Sequence, residues 1–170
     1  MASLIENLIE VLTAENDEYE ALLKLSIEKT EIIVAGDVDA LNAKVNEEQQ
    51  VVGRINTLER KRTEATNDIA MVLNRKPEEL TLGKLTELLA GQPKECEALK
   101  NIHDKLKTTL ANMSRVNESN MMLLQESIDM IQFEMNIMQS LKQGPATNNY
   151  SGKSYADESY NVRGSFDAKQ

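Results

Sequence analysis

The chain reads as all-α: an elongated antiparallel helical bundle or coiled coil of three long helices plus one short helix, followed by a disordered C-terminal tail. Three observations predict this. From Pro93 to Lys142 no glycine or proline interrupts the sequence after its first residue. Apolar residues recur in that stretch at Cys96, Leu99, Leu106, Leu110, Met113, Leu124, Ile128, Ile131, Met135 and Met138, the period of one helix face. Among 170 residues, charged types make up 28% and aromatics only 4%, with 7 Gly, 3 Pro and no Trp. That composition suits helices joined along seams rather than a large aromatic core.

The first helix opens at Ser3-Leu4-Ile5-Glu6, which has capping-box spacing, with Ser3 as the cap and Glu6 reaching back. Its stripe is Ile5, Leu8, Ile9, Leu12, Tyr19, Leu22, Leu23, Ser26 and Ile33. Gly36 ends it, since glycine accepts the left-handed conformation past a helix C-terminus. Asp37 caps the second helix, and so short a reversal makes the two helices antiparallel neighbours. The second stripe is Val38, Leu41, Val45, Val52, Ile55, Leu58, Ala65, Ile69 and Val72. This helix ends near Asn74, because Pro77 disfavours helix at Lys76. A short third helix starts at Leu80-Thr81-Leu82, with Thr81 as cap, and runs through Leu89. Gly91-Gln92-Pro93 then opens the long helix, whose first turn tolerates proline, and Gly144-Pro145 stops it.

The chain divides into a helical domain, residues 1–142, and a tail, residues 143–170. The tail is rich in Gly, Asn, Ser and Asp and nearly free of aliphatic residues, so it cannot bury enough apolar surface to order itself. Yet four of the six aromatics, Tyr150, Tyr155, Tyr160 and Phe166, lie there. Aromatics in so polar a segment mark it as a recognition tail.

Several function classes find no support. The net charge of −9 opposes a dedicated nucleic-acid binder, and the basic run Arg60-Lys61-Arg62 reads as a solvated helix face. Glu6 and Glu10 interrupt the N-terminal apolar residues, so neither a signal peptide nor a membrane span is expected. Cys96 is the only cysteine and His103 the only histidine, too few for a zinc site. No Gly-rich phosphate loop or nucleophile elbow occurs. The sequence His103-Asp104-Lys105-Leu106-Lys107 also departs from the histidine phosphotransfer pattern, which has a basic residue and glycine at the third and fourth positions after its histidine. No catalytic residue, metal or cofactor is expected, and a reducing cytoplasm suits the lone cysteine.

The end of the long helix is more informative. Asn117 and Asn120 continue the spacing of Leu106, Leu110 and Met113, so they fall in the seam, where a buried Asn fixes register or partner choice. Beyond them the helix is apolar on two faces. One carries Leu124, Ile128, Ile131, Met135 and Met138, the other Leu123, Met130, Phe133, Ile137 and Leu141. Packing one seam needs only one stripe. Five of the eight methionines lie between Met121 and Met138, and thioethers repack easily against variable partners. At about 1.5 Å per residue the second helix spans roughly 57 Å and the long one roughly 75 Å. Laid antiparallel from their shared end, the long helix outruns its neighbour by about 18 Å, beginning near Ile131.

At this point the chain resembles the FlgN-type flagellar export chaperones. The resemblance rests on the Leu-rich opening helix, on Gly36-Asp37-Val38-Asp39-Ala40-Leu41, and on Gln49-Gln50, Ile55, Leu58-Glu59 and Arg62. It continues through Leu80-Thr81-Leu82-Gly83-Lys84-Leu85 and Asn117-Glu118-Ser119-Asn120 with Leu123-Leu124. It implies a cytoplasmic chaperone for the hook-associated proteins FlgK and FlgL, whose terminal helix is held by the C-terminal helix region. On this chain that assigns client binding to Leu123, Leu124, Ile128, Ile131, Met135 and Met138. The resemblance also implies docking on the export gate protein FlhA through a tyrosine near the C-terminus, for which this tail offers three, Tyr150, Tyr155 and Tyr160. The ending Phe166-Asp167-Ala168-Lys169 looks like one seen in some relatives. The alternative is a coiled-coil adaptor whose exposed stripe makes a homodimer, and a homo-oligomer is also expected of the client-free chaperone.

Overall fold

The computed structural model describes residues 2–89 and 91–142. The tail at 143–170, with its three tyrosines and Phe166, lies outside the described residues. Four α-helices follow in order: α1 (Ala2–Ala35), α2 (Val38–Val72), α3 (Leu82–Leu88) and α4 (Pro93–Lys142), with a 3-10 turn at Pro77–Glu79. No strand occurs among the described residues. The chain divides into two compact units, Met1–Gln132 and Phe133–Gln170. The described part of the second unit is the final stretch of α4.

The turn between α1 and α2 follows from two residues. Gly36 sits at φ +70° and donates its N–H to the Ile33 carbonyl at 3.1 Å, while the Asp37 N–H reaches the Ile32 carbonyl at 3.3 Å. This pair of bonds is the Schellman termination that glycine permits. The Asp37 carboxylate accepts the Ala40 N–H at 2.9 Å and caps α2. Thr81 caps α3 in the same way, accepting from the Lys84 N–H at 3.3 Å. Ser3 does not cap α1: helical bonding already includes Ala2, so Ser3 lies in the first turn.

Ion pairs set α1 antiparallel to α2. Arg62–Glu15 (3.1 Å) and Arg54–Glu18 (2.8 Å) lie towards the start of α1 and the end of α2, and Lys29–Glu48 (2.7 Å) and Lys44–Glu28 (2.9 Å) lie towards the end of α1 and the start of α2. The exposed pairs among these contribute little energy each, and together they mark the antiparallel direction. Hydrogen bonds that Thr109 donates to Asn16, Asn120 donates to the Ser26 carbonyl and Thr30 donates to Asn120 set α4 parallel to α1. The α3 connection makes that direction feasible by turning the chain at the foot of α2.

The main core sits at this foot. Ile5, Leu8 and Leu12 of α1, Ala65 and Ile69 of α2, Leu80, Leu85 and Leu89 around α3, and Leu99, Ile102 and Leu106 of α4 are buried together. A smaller cluster of Leu22, Val51 and Ile55 lies further along the hairpin, with Met113 against it. Two stripes differ in register from the sequence reading. In α2 Ile55, Ala65 and Ile69 are buried as their spacing predicts, but Val51 and Ala70 are buried beside them, whereas Val38, Val52 and Val72 are exposed. In α4 the seam runs through Ile102 and Thr109, and Leu110 turns outward. Thr109 donates to the Asn16 side-chain oxygen at 3.0 Å and occupies the buried position beside Leu110, which is 37% exposed.

Glu15 is buried between α1 and α2. Arg62 Nε stands 3.1 Å from its Oε2, yet neither atom is aligned for a hydrogen bond. Burial raises the Glu15 pKa above the ordinary carboxylate value, Arg62 opposes this and Glu59 adds to it. Between the ordinary and the raised value, the folded chain keeps a proton that the unfolded chain has lost. Stability from this group therefore falls as pH rises through that interval. Glutamine does not titrate, so the urea midpoint of wild type should decline relative to Glu15→Gln as pH rises from about 4 to about 8. A pH-independent difference between the two would contradict this.

Candidate functional site

Near the α1–α2 turn the bundle opens instead of closing. A cavity of about 180 Å³ lies between the turn and α4, lined by Ile32, Ile33, Val38 and Leu41 on one side and Leu124, Ser127, Ile128 and Ile131 on the other. Ile33 is buried at its floor, and Val38 is 66% exposed at its rim. A second cavity of about 380 Å³ lies between α2 and α4, over α1. Val52 and Met121 stand on its walls, and Leu22, Ser26 and Asn120 are among its other lining residues. Leu124 lines both cavities. Together they form an apolar trough with a polar strip along its floor.

That strip is well satisfied. The Asn120 amide donates to the Ser26 carbonyl at 2.8 Å, and its oxygen accepts the Thr30 hydroxyl at 2.6 Å. The Ser26 hydroxyl and the Lys29 ammonium both donate to Glu48, at 3.0 Å and 2.7 Å. All three helices of the trough therefore meet at one hydrogen-bonded strip. Asn120 is buried in the seam, as its spacing predicts. Asn117 is not: it is exposed on α4, and the seam position near it is taken by Asn120 alone.

The remaining sequence-assigned residues separate by exposure. Leu123 and Leu124 are half-buried. Ile128 is 48% exposed and Ile131 55% exposed. In the second unit, described by itself, every residue of 133–142 is exposed. Met135 and Met138 are 54% and 61% exposed, and Phe133, Ile137 and Leu141 lie open on the other side of the helix. An isolated helix end with apolar residues on both faces gains nothing from water. In the first unit Met121 and Met122 are exposed as well, at 67% and 66%.

The contribution of the α1–α2 turn was not legible as a site. Val38 and Leu41 read as ordinary core residues of α2. Their role depends on α4 running parallel to α1, and no residue of the turn announces that.

His103 lies on the outer side of α4 with Nδ1 3.1 Å from the Asp104 carboxylate. Cys96 is half-buried against the main core and its thiol meets the Thr86 carbonyl. No cluster of three or more His, Cys, Asp or Glu residues placed to hold a metal ion occurs among the described residues. No described helix is long and apolar enough to cross a membrane.

Among known families, the one described as FlgN protein matches the chain over residues 1–157. No curated protein and no solved structure matches the chain.

Proposed function

Because the chain belongs to the FlgN family, whose members are flagellar export chaperones, we propose that it captures the terminal helix of the hook-associated proteins FlgK and FlgL in the cytoplasm. The family is a chaperone family and not an enzymatic one. The observation that carries the reading is the exposed apolar end of α4, from Ile128 through Leu141. Client binding falls to Ile128, Ile131, Met135 and Met138, with Leu124 lining the trough and Leu123 half-buried next to it in sequence. An amphipathic client helix laid on these residues would bury side chains worth about 1.5–3 kcal/mol each on full burial. Association and ordering of the client offset much of that gain. A hold of this kind is firm enough to keep the client unassembled and weak enough to release it. Methionine suits the task, because one flexible surface must fit both FlgK and FlgL.

The tail takes the second task, delivery. Tyr150, Tyr155 and Tyr160 would place their rings in pockets of FlhA while each hydroxyl keeps a hydrogen bond. Two variants test this division: truncation after Gln143, and alanine at all three tyrosines. Both are expected to bind the FlgK C-terminal segment normally and to lose binding to the FlhA cytoplasmic domain. A loss of client affinity beyond about tenfold, roughly 1.4 kcal/mol, would put the tail in the client site.

The two-sided apolar helix end also favours self-association of the client-free chain. Sedimentation across a wide concentration range separates the readings. A dimer that dissociates when the client segment is added fits a chaperone, and one that ignores it fits an adaptor.

A further inference from the structure

We propose that α4 beyond Leu106 is a latched arm, held to α1 by two side-chain amide ties that open locally while the main core stays closed. The change in what α4 buries carries this. Up to Leu106 its buried residues are apolar: Leu99, Ile102 and Leu106. After Leu106 its only buried residues are Thr109 and Asn120, both polar. Each engages a tie, and the ties are reciprocal, with one asparagine from each helix. Asn16 of α1 accepts the Thr109 hydroxyl at 3.0 Å, and passes its own amide hydrogen to Glu20 at 3.0 Å. Lys105 closes that ring on Glu20, also at 3.0 Å. Asn120 of α4 bonds Ser26 and Thr30 as described. The two ties are eleven residues apart on α4, about 16 Å or three turns.

Such ties differ in kind from apolar packing. A neutral hydrogen bond exchanges readily for bonds to water, so breaking it costs little net free energy once both partners are wetted. Exposing Leu99, Ile102 and Leu106 has no such compensation. Ser26 and Asn120 of the outer tie line the cavity between α2 and α4, so that tie borders open space rather than packed side chains. The arm therefore opens at a lower cost than the foot of the helix, as a local unit below the global stability. Its opening widens the trough between α2 and α4, and the ties return it to one register when it closes.

The use of this motion in capture rests on the client-binding reading above, whereas the motion itself does not. Hydrogen exchange on the full chain tests the motion first. Amides of 110–131 are expected to exchange at least about tenfold faster than those of 97–106. Asn16→Ala with Asn120→Ala should speed 110–131 by a further factor of about ten and leave 97–106 within about twofold. Equal exchange in both segments, or a uniform change in the variant, overturns the latch. Asn120→Leu with Thr30→Val replaces one tie with apolar contact and should slow exchange of 110–131 while the fold stands. Titrating that tightened variant with a FlgK C-terminal peptide tests the use in capture. Affinity at least about tenfold weaker supports it, and unchanged affinity shows that capture does not use the opening. If wild type fails to bind the peptide at all, the client reading falls while the exchange pattern still decides the latch.

Discussion

Met135→Asp combined with Met138→Asp is expected to reduce affinity for the FlgK C-terminal segment at least about 100-fold, or some 2.7 kcal/mol. Both side chains are more than half exposed, so the free chain loses no buried contact. Substitutions at such positions usually change stability by less than about 0.5 kcal/mol. In the complex the effect reverses. Each methionine buried under a client helix contributes up to about 1.5–3 kcal/mol, and each aspartate must instead be desolvated without a partner. Calorimetric titration measures the loss, and circular dichroism with urea unfolding confirms that the variant remains folded. Unchanged affinity in a folded double variant would remove these residues from the client site.

Leu99→Ala is the substitution expected to cost most in stability. Leu99 is fully buried among Ile5, Leu8, Ile69 and Leu85, where all four helices meet. Truncation there removes its transfer energy and leaves a cavity, about 2–5 kcal/mol in total. For a chain of this size the thermal midpoint should fall by roughly 5–15 °C. Leu110→Ala is the informative control. Leu110 has the same leucine chemistry and lies in the seam by simple spacing, but it is 37% exposed. Its truncation should cost no more than about 1 kcal/mol. Equal losses at the two positions would contradict the register of α4 on α1.

These two leucines show how far the sequence reaches. The bounds of α4, the turn at Gly36 and Asp37 and the cap at Thr81 were all legible, because glycine, proline and capping side chains act locally. Register was not. A helical wheel ranks Leu110 above Thr109, yet Thr109 is buried because Asn16 waits for it on another helix. Glu15 and Asn16 are buried in α1 for reasons of the same kind, through Arg62 and Thr109. A pairing between residues 93 positions apart leaves no mark in the periodicity of either helix. The site divides likewise. The exposed stripe on α4 was legible as an excess of apolar residues, more than one seam can use. The trough beside the α1–α2 turn was hidden, since Val38 and Leu41 look like core until the direction of α4 is known.

On the reading proposed above, the apolar end of α4 takes up the client helix. Hydrogen exchange of the full chain, with and without a saturating FlgK C-terminal segment, tests it most directly. The account predicts new protection within residues 121–142 and along the trough at Val38 and Leu41, with the foot around Leu99 and Ile102 unchanged. Protection that leaves 121–142 untouched and appears elsewhere on the helices would contradict it.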